Sequence, residues 1–297
     1  MVWSLTTWSA HADPLPRFRV TGDGVLHVQR GREVVSVHYR QGDGAYSPEG
    51  ATQLARLWGV RGHDPMRIEP RLLEALDHLQ DHFANRPFVI VSGYRSREQN
   101  AGLRRRRLLA AQSSMHIEGG AVDLFFPGLA SATVAEYARS LECCGVGYYH
   151  GKTIHIDTGP VRFWDEKTSG TEDQTPQRNA KIIARTVYDR YPRDEPVVIR
   201  LMRITEFPVV VATEWTLECG RDKTWDRVGR VRIGYRNVSG RCAVLSDPTV
   251  AREGMWLQAS TDRHCRNKAY RLAIPFCQRT AETMPTEIVT NHFEIGS

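Results

Sequence analysis

The chain has no apolar run near the ~18 residues that a membrane-spanning helix needs, which excludes an integral helical membrane protein. Lysine is scarce: Lys152, Lys167, Lys181, Lys223 and Lys268 are the whole set, and arginine supplies the rest of the 40 basic residues. Set against 34 acidic residues this leaves a net charge of +6 over 297 residues, far too small for a polybasic nucleic-acid binder. There is no CxxC knuckle, no internal repeat and no low-complexity tract. What is present is ordinary for a folded protein: 41% hydrophobic and 25% charged residues, in a chain long enough for two domains.

Met1 to Ala12 reads MVWSLTTWSAHA, and Ala10-His11-Ala12 fits the small-x-small pattern of a signal-peptidase site. The stretch is short and lacks a charged n-region, so residues 1–16 read either as the remnant of an export signal or as an unstructured N-terminus. Of the six cysteines, Cys143 and Cys144 are adjacent. They read as a redox pair or as two ordinary thiols. Cys219, Cys242, Cys265 and Cys277 fall in the last third, compatible with two disulfides of undetermined connectivity or with a zinc site of four thiolates. The missing knuckle favours disulfides, and with them an oxidising, extracytoplasmic setting.

Along the chain, Arg17 to Tyr39 alternates apolar and polar residues as two or three short strands would. Ser47-Pro48-Glu49 opens a helix toward Trp58, and Glu69-Pro70 opens a second with Leu72, Leu73, Leu76, Leu79 and Phe83 at helical spacing. Phe88 to Val91 reads as a buried strand and Arg97 to Ala111 as a helix containing the run Arg104-Arg105-Arg106-Arg107, most simply a solvated face. Gly120 to Phe126, Gly145 to Tyr149 and Thr153 to Thr158 read as strands around a helix over Val134 to Leu141. The expected class is α+β, with helices packed on a mostly antiparallel sheet. Residues 17–165 form that first domain, 166–196 a polar linker with a helix over Asn179–Tyr191, and 197–297 a second, all-β domain. Its aromatics Trp215, Trp225, Tyr235 and Trp256 are packing residues or sugar-stacking platforms.

The chemistry concentrates in Ser114-Met115-His116-Ile117-Glu118-Gly119-Gly120-Ala121-Val122-Asp123 and Thr153-Ile154-His155-Ile156-Asp157-Thr158-Gly159. Imidazole and carboxylate are both good zinc ligands, and Gly119-Gly120 lets a loop histidine turn toward a strand aspartate. Val122 and Leu124 flank Asp123, so its carboxylate projects alone from an apolar strand, and a metal is one way to compensate that burial. At period two, His155 and Asp157 share one face of their strand. Three protein ligands leave zinc a fourth position for water.

These residues, taken with Ser92-Gly93-Tyr94-Arg95-Ser96, Asn100, Gly145-Val146-Gly147-Tyr148-Tyr149 and Arg162-x-Trp164, resemble the YcbK-like murein endopeptidases. Those enzymes belong with the zinc D-Ala-D-Ala carboxypeptidases and share a metal-binding core with hedgehog. The resemblance runs over roughly residues 25–165 and carries nothing for 197–297. It implies a hedgehog/DD-peptidase-like fold, a zinc ion on His116, Asp123 and His155, and cleavage of peptidoglycan stem peptides or cross-links in the periplasm. Lys152 stands three residues before His155, so the Glu-x-x-His base of one branch of these enzymes is absent. Asp157 is then the first candidate base, with orientation of a ligand histidine or direct ligation as its alternatives, and His150 the second. Arg95 is expected to clamp a peptide carboxylate or carbonyl, with Ser114 and Tyr148 in the substrate site and Tyr148 and Tyr149 either walling the cleft or packing in their strand. The competing reading keeps the fold without turnover, as a non-catalytic peptidoglycan-binding module.

Overall fold

The computed structural model describes residues 16–61, 67–106, 108, 110–169, 175–193, 195–221, 224–235, 238–257, 265 and 269–296. The export-signal reading of residues 1–12 lies outside the described residues, as do Arg107 and residues 170–174 of the polar stretch.

Val25–Arg30 (β1) and Glu33–His38 (β2) form an antiparallel hairpin that turns at Gly31, whose φ of 62° suits glycine. Residues 17–20 do not add a third strand. The Arg17 carbonyl is taken instead by the backbone N–H groups of Asp189 and Arg190, far along the chain. Pro48–Leu57 (α1) starts where Ser47 Oγ accepts from Gly50 N at 3.1 Å, and Pro70–His82 (α2) starts on its proline. Phe88–Ser92 (β3) leads to Arg97–Arg105 (α3), opened by a reciprocal capping box between Ser96 and Gln99. This helix is shorter than the sequence indicates, because Asn100 Nδ2 donates to the Ala111 carbonyl and holds the following segment folded back on it. Met115–Glu118 (α4), Ala121–Phe125 (β4), Ser131–Ser140 (α5), Gly145–Tyr149 (β5), Thr153–Asp157 (β6) and Arg162–Asp165 (β7) complete the N-terminal unit.

The sheet has seven strands in the order β2-β1-β3-β4-β6-β5-β7. All pairings are antiparallel except β1 with β3 and β5 with β7. One face is the core. Leu54, Trp58, Leu72, Leu76 and Leu79 of the helical layer pack with Leu26, Val28, Phe88, Val122, Leu124, Val146, Ile154 and Ile156 of the strands. Each such buried side chain contributes roughly 1.5–3 kcal/mol, which anchors the register of β4, β5 and β6.

Among the described residues, the second region is a sheet of twelve strands with one short helix, Pro248–Glu253, so it is β-rich with a helical turn inserted. It begins earlier than the sequence indicates. Residues 179–191 are not helical: Ile183–Thr186 is a strand paired antiparallel with Val197–Met202, and long-range pairing overrides the local helical pattern. Trp215 and Tyr235 are buried in the core of this region rather than offered as stacking platforms. Disulfides join Cys219 to Cys265 and Cys242 to Cys277, which rules out the four-thiolate zinc site. Cys143 and Cys144 are bonded to each other.

Candidate metal centre

The face of the N-terminal sheet opposite the core carries the polar site. Asp123 on β4 lies directly across from His155 on β6. The row extends through five strands, with a shift of register in β3 between Ile90 and Ser92 that sets Ser92 opposite Asp123, so that Ser92, Asp123, His155, Gly147 and Trp164 lie in line across β3, β4, β6, β5 and β7. The adjacent row on this face reads Ala121, Asp157, Gly145 and Arg162. Strand alternation thus sends Val122, Leu124, Ile154 and Ile156 into the core and the ionisable groups to the other side.

The third group comes from α4. Ser114 caps this single turn, its Oγ accepting from His116 N at 3.3 Å, and Gly119 ends it in the left-handed conformation at φ 74°. A Cβ on Gly119 would sit 1.8 Å from the Arg67 carbonyl oxygen, so only glycine fits there. His116 gives Nδ1–H to the Gly93 carbonyl at 2.6 Å, which turns Nε2 inward. There Nε2 lies 3.3 Å from His155 Nδ1 and 3.4 Å from Asp123 Oδ2, while His155 Nδ1 is 2.8 Å from Asp123 Oδ1. On the far side of its ring, His155 gives Nε2–H to Asp157 Oδ2 at 2.9 Å. One ligand atom from each of His116, Asp123 and His155 lies within 4.8 Å of the others, and all three residues are buried. Each histidine has its outward nitrogen fixed by a carbonyl or a carboxylate, the support that metal-bound histidines require. The donor set of two imidazoles and one carboxylate fits a catalytic divalent metal, for which three protein ligands are the usual number.

The electrostatics agree with tight coupling. Burial alone would raise the Asp123 carboxyl, but hydrogen bonds and charge from His116 and His155 outweigh it and hold the group below the usual carboxylate range. Burial opposes charge on His155, yet its two flanking carboxylates prevail and push it up to about 9. Burial lowers His116.

The glycines of β5 explain how β7 reaches this face. A Cβ on Gly147 would meet the Trp164 indole at 2.7 Å, and one on Gly145 would meet Arg162 Nη1 at 2.4 Å. Side chains at either position would lift Trp164 and Arg162 off the sheet. With glycine at both, the Trp164 ring lies 5.2 Å from that of His155, and Arg162 clasps Asp157 with Nη2–Oδ2 at 2.5 Å and Nη1–Oδ1 at 3.0 Å. Asp157 Oδ1 also accepts from Gly159 N at 2.7 Å.

The other expected residues separate into those on the site and those off it. Arg95 is on it: its guanidinium donates to Ser92 Oγ at 2.8 and 3.0 Å and to Asp123 Oδ2 at 3.2 Å. Ser114 is adjacent, with its hydroxyl committed to the cap of α4. Asp157 lies behind His155, saturated by Arg162 and Gly159, and not over the facing ligand atoms. Tyr148 is on the opposite face, paired with Ile154 in register and packed against the core, because one residue along a strand reverses the side. Of the two tyrosines, Tyr149 is the one on the site face. It shares the face of Gly147 and hydrogen-bonds Trp164, and burial together with the nearby Asp123 charge raises its phenol to about 12. His150 is half exposed, its ring 4.8 Å from Tyr148 and its Nε2 3.8 Å from Asp165, both residues of the opposite face. Ser92, Arg162 and Trp164 are the site-face residues to which the sequence assigns no role of their own; the spacing G-x-G opposite R-x-W is the signal that marks Arg162 and Trp164.

A facing His–Asp–His set with supported histidines and an adjacent arginine is a donor set that could hold a metal ion, as the site of a metal-dependent hydrolase would. Comparison with known proteins narrows the class. The family model described as peptidoglycan L,D-endopeptidase MepK matches residues 24–164. Peptidoglycan L,D-endopeptidase MepK of Escherichia coli (strain K12) is 34% identical over 151 residues, covering 50% of this chain and 81% of that protein. The Shigella flexneri protein of the same name gives the same figures, 34% over 151 residues. The probable peptidoglycan L,D-endopeptidase MepK of Haemophilus influenzae is 38% identical over 101 residues, 33% of this chain and 54% of that protein. No solved structure matches the chain at a significant level. The chain belongs to the MepK family of peptidoglycan peptidases. The family match stops at β7 and leaves the twelve-stranded sheet outside it.

Proposed function

We propose that this chain is a zinc-dependent murein endopeptidase that cuts peptide cross-links or stem peptides of peptidoglycan outside the cytoplasm. The observation that carries the reading is the convergence of His116 Nε2, Asp123 and His155 Nδ1, each histidine fixed through its other nitrogen. Residues 17–165 form the catalytic unit, of the hedgehog/DD-peptidase kind. His116, Asp123 and His155 would hold the zinc ion, which supplies an acidified water and a Lewis acid for the scissile carbonyl. Arg95, beside Asp123, receives a carboxylate or carbonyl of the peptide. Tyr149, protonated throughout the neutral range, presents a phenol donor on the same face. Asp157 orients His155 by accepting from Nε2, in place of the proton-accepting role that the sequence offers it. The three disulfides fit an oxidising, periplasmic location.

The test uses purified full-length protein, intact sacculi and mass spectrometry of the soluble products, with and without a chelator. The expected result is about one zinc per chain and new peptide termini that the chelator abolishes. His116→Ala should lose both metal and products; retention of both would overturn the proposal. Binding to sacculi without any new terminus would establish the non-catalytic module instead.

A further inference from the structure

The twelve-stranded region does not sit apart from the metal centre. Met202 and Ile183 pack against Met115 and Ala121, residues beside His116 and at the start of β4. Arg203 grips the loop that carries His116 at three points. Its backbone N–H donates to Glu118 Oε1 at 3.1 Å, its Nε to the Ser113 carbonyl at 3.1 Å, and its Nη2 to Ser113 Oγ at 3.1 Å. Arg200 Nη1 meets Glu69 Oε1 at 3.0 Å, and Glu69 N in turn donates to the Gly119 carbonyl at 3.0 Å. On the second ligand segment, Arg185 donates to the carbonyl of Gly159, two residues after Asp157. Arg97, on α3, reaches across to the Ile204 carbonyl at 3.3 Å.

We infer that the C-terminal region is a positioning part of the metal centre, with Arg203 as its principal contact, holding the Ser113–Gly119 loop so that His116 faces Asp123 and His155. The physical argument is that α4 is a single turn of four residues, too short to be stable alone. Its geometry must be imposed from outside. One side is supplied by the N-terminal unit through Gly93, Arg95 and Glu69. The other is supplied by Arg203, whose planar fork takes a carbonyl and a hydroxyl of one residue together. The inference rests on the metal-site reading above and extends it to residues outside the family match.

Arg203 has φ 62°, a left-handed backbone that glycine adopts without strain. Arg203→Gly therefore removes the side chain while favouring the turn that presents its N–H to Glu118. Arg203→Lys keeps the charge but loses the fork. The measurements are zinc affinity by chelator competition, hydrogen exchange of the metal-free protein over residues 113–119, and melting temperature. Arg230→Ala, at an exposed ion pair with Glu214, serves as control. The expected result is zinc affinity weakened on the order of tenfold in both Arg203 variants, with faster exchange confined to residues 113–119 and an unchanged melting temperature in Arg203→Gly. Zinc affinity within twofold of the parent, or a loss shared by Arg230→Ala, overturns the inference. Failure of the parent protein to bind zinc sinks the metal-site reading itself, and unchanged exchange in the metal-free variants then overturns the positioning role separately.

Discussion

Replacing Asp157 by asparagine separates two roles that one carboxylate could fill. Asp157 accepts four hydrogen bonds, from His155 Nε2, from both Arg162 nitrogens and from Gly159 N, and its side chain is 1% exposed. An asparagine has one accepting oxygen and an NH2 group. If the oxygen stays with Arg162 and Gly159, the NH2 faces His155 Nε2 and can be satisfied only if that nitrogen becomes an acceptor. The imidazole proton then moves to Nδ1, the atom that faces Asp123 and His116 and that must be bare to hold a metal. Loss of such an outer partner weakens metal binding about 10–100-fold, or about 1.4–2.7 kcal/mol. The assay is zinc affinity by chelator competition, followed by the rate of product release from sacculi at saturating zinc. Orientation predicts weakened affinity and a rate restored to within about tenfold by excess zinc. General-base catalysis predicts the reverse: unchanged affinity and a kcat lowered by roughly 10²–10⁴ that zinc does not restore. The second pattern would refute the orienting role.

Three further perturbations test other parts of the argument. Gly147→Ala places a Cβ against the Trp164 indole and should cost on the order of 1–3 kcal/mol in stability while shifting tryptophan fluorescence; a variant with parental stability and spectrum would show that the glycine is not needed for the indole. Arg95→Lys should retain zinc but raise KM by about tenfold or more, since a lysine cannot bridge Ser92 and Asp123 while meeting a peptide carboxylate; an unchanged KM removes Arg95 from substrate binding. Asp77 is buried on α2, and burial raises its carboxyl to about 7 despite hydrogen bonds from Tyr39 and Gly24. The folded state then holds a proton that the unfolded state releases near pH 4, so this contribution is full below that pH and is lost as pH climbs through about 7. Asp77→Asn should flatten that segment of the melting-temperature profile and stabilise the protein at neutral pH, on the order of 2 kcal/mol once solvent screening is allowed for; parallel profiles for the two proteins would contradict it.

Much of the N-terminal unit is legible in the sequence because its elements carry local signals. Ser47-Pro48, Glu69-Pro70 and the Ser96–Gln99 box mark helix starts by their own hydrogen-bonding and φ preferences, and the structure places helices at each. The stretch from Asn179 to Tyr191 fails for the opposite reason. Ile183–Thr186 is a strand only because Val197–Met202 lies beside it, and no local pattern contains that partner. The same holds for residues 17–20, whose polar–apolar alternation is claimed by contacts with Asp189 and Arg190.

The residues of the His–Asp–His cluster are legible for a different reason: their chemistry is unusual for their surroundings. Asp123 between Val122 and Leu124, and His155 between Ile154 and Ile156, are ionisable groups on strands whose other face must be core. Alternation alone then puts both on one side, and a single shared register sets them opposite each other. What alternation cannot say is which nitrogen of His155 points at Asp123, so it could not decide whether Asp157 lies over the ligand atoms or behind them. Nor did the residue types distinguish Tyr148 from Tyr149. The information was present in Gly145 and Gly147, since a strand that leaves every second position empty reserves that face for something laid across it, here Arg162 and Trp164, and Tyr149 continues the same face. Read as pairs across strands rather than as single residues, the motif already contains the site's floor, its back and its wall.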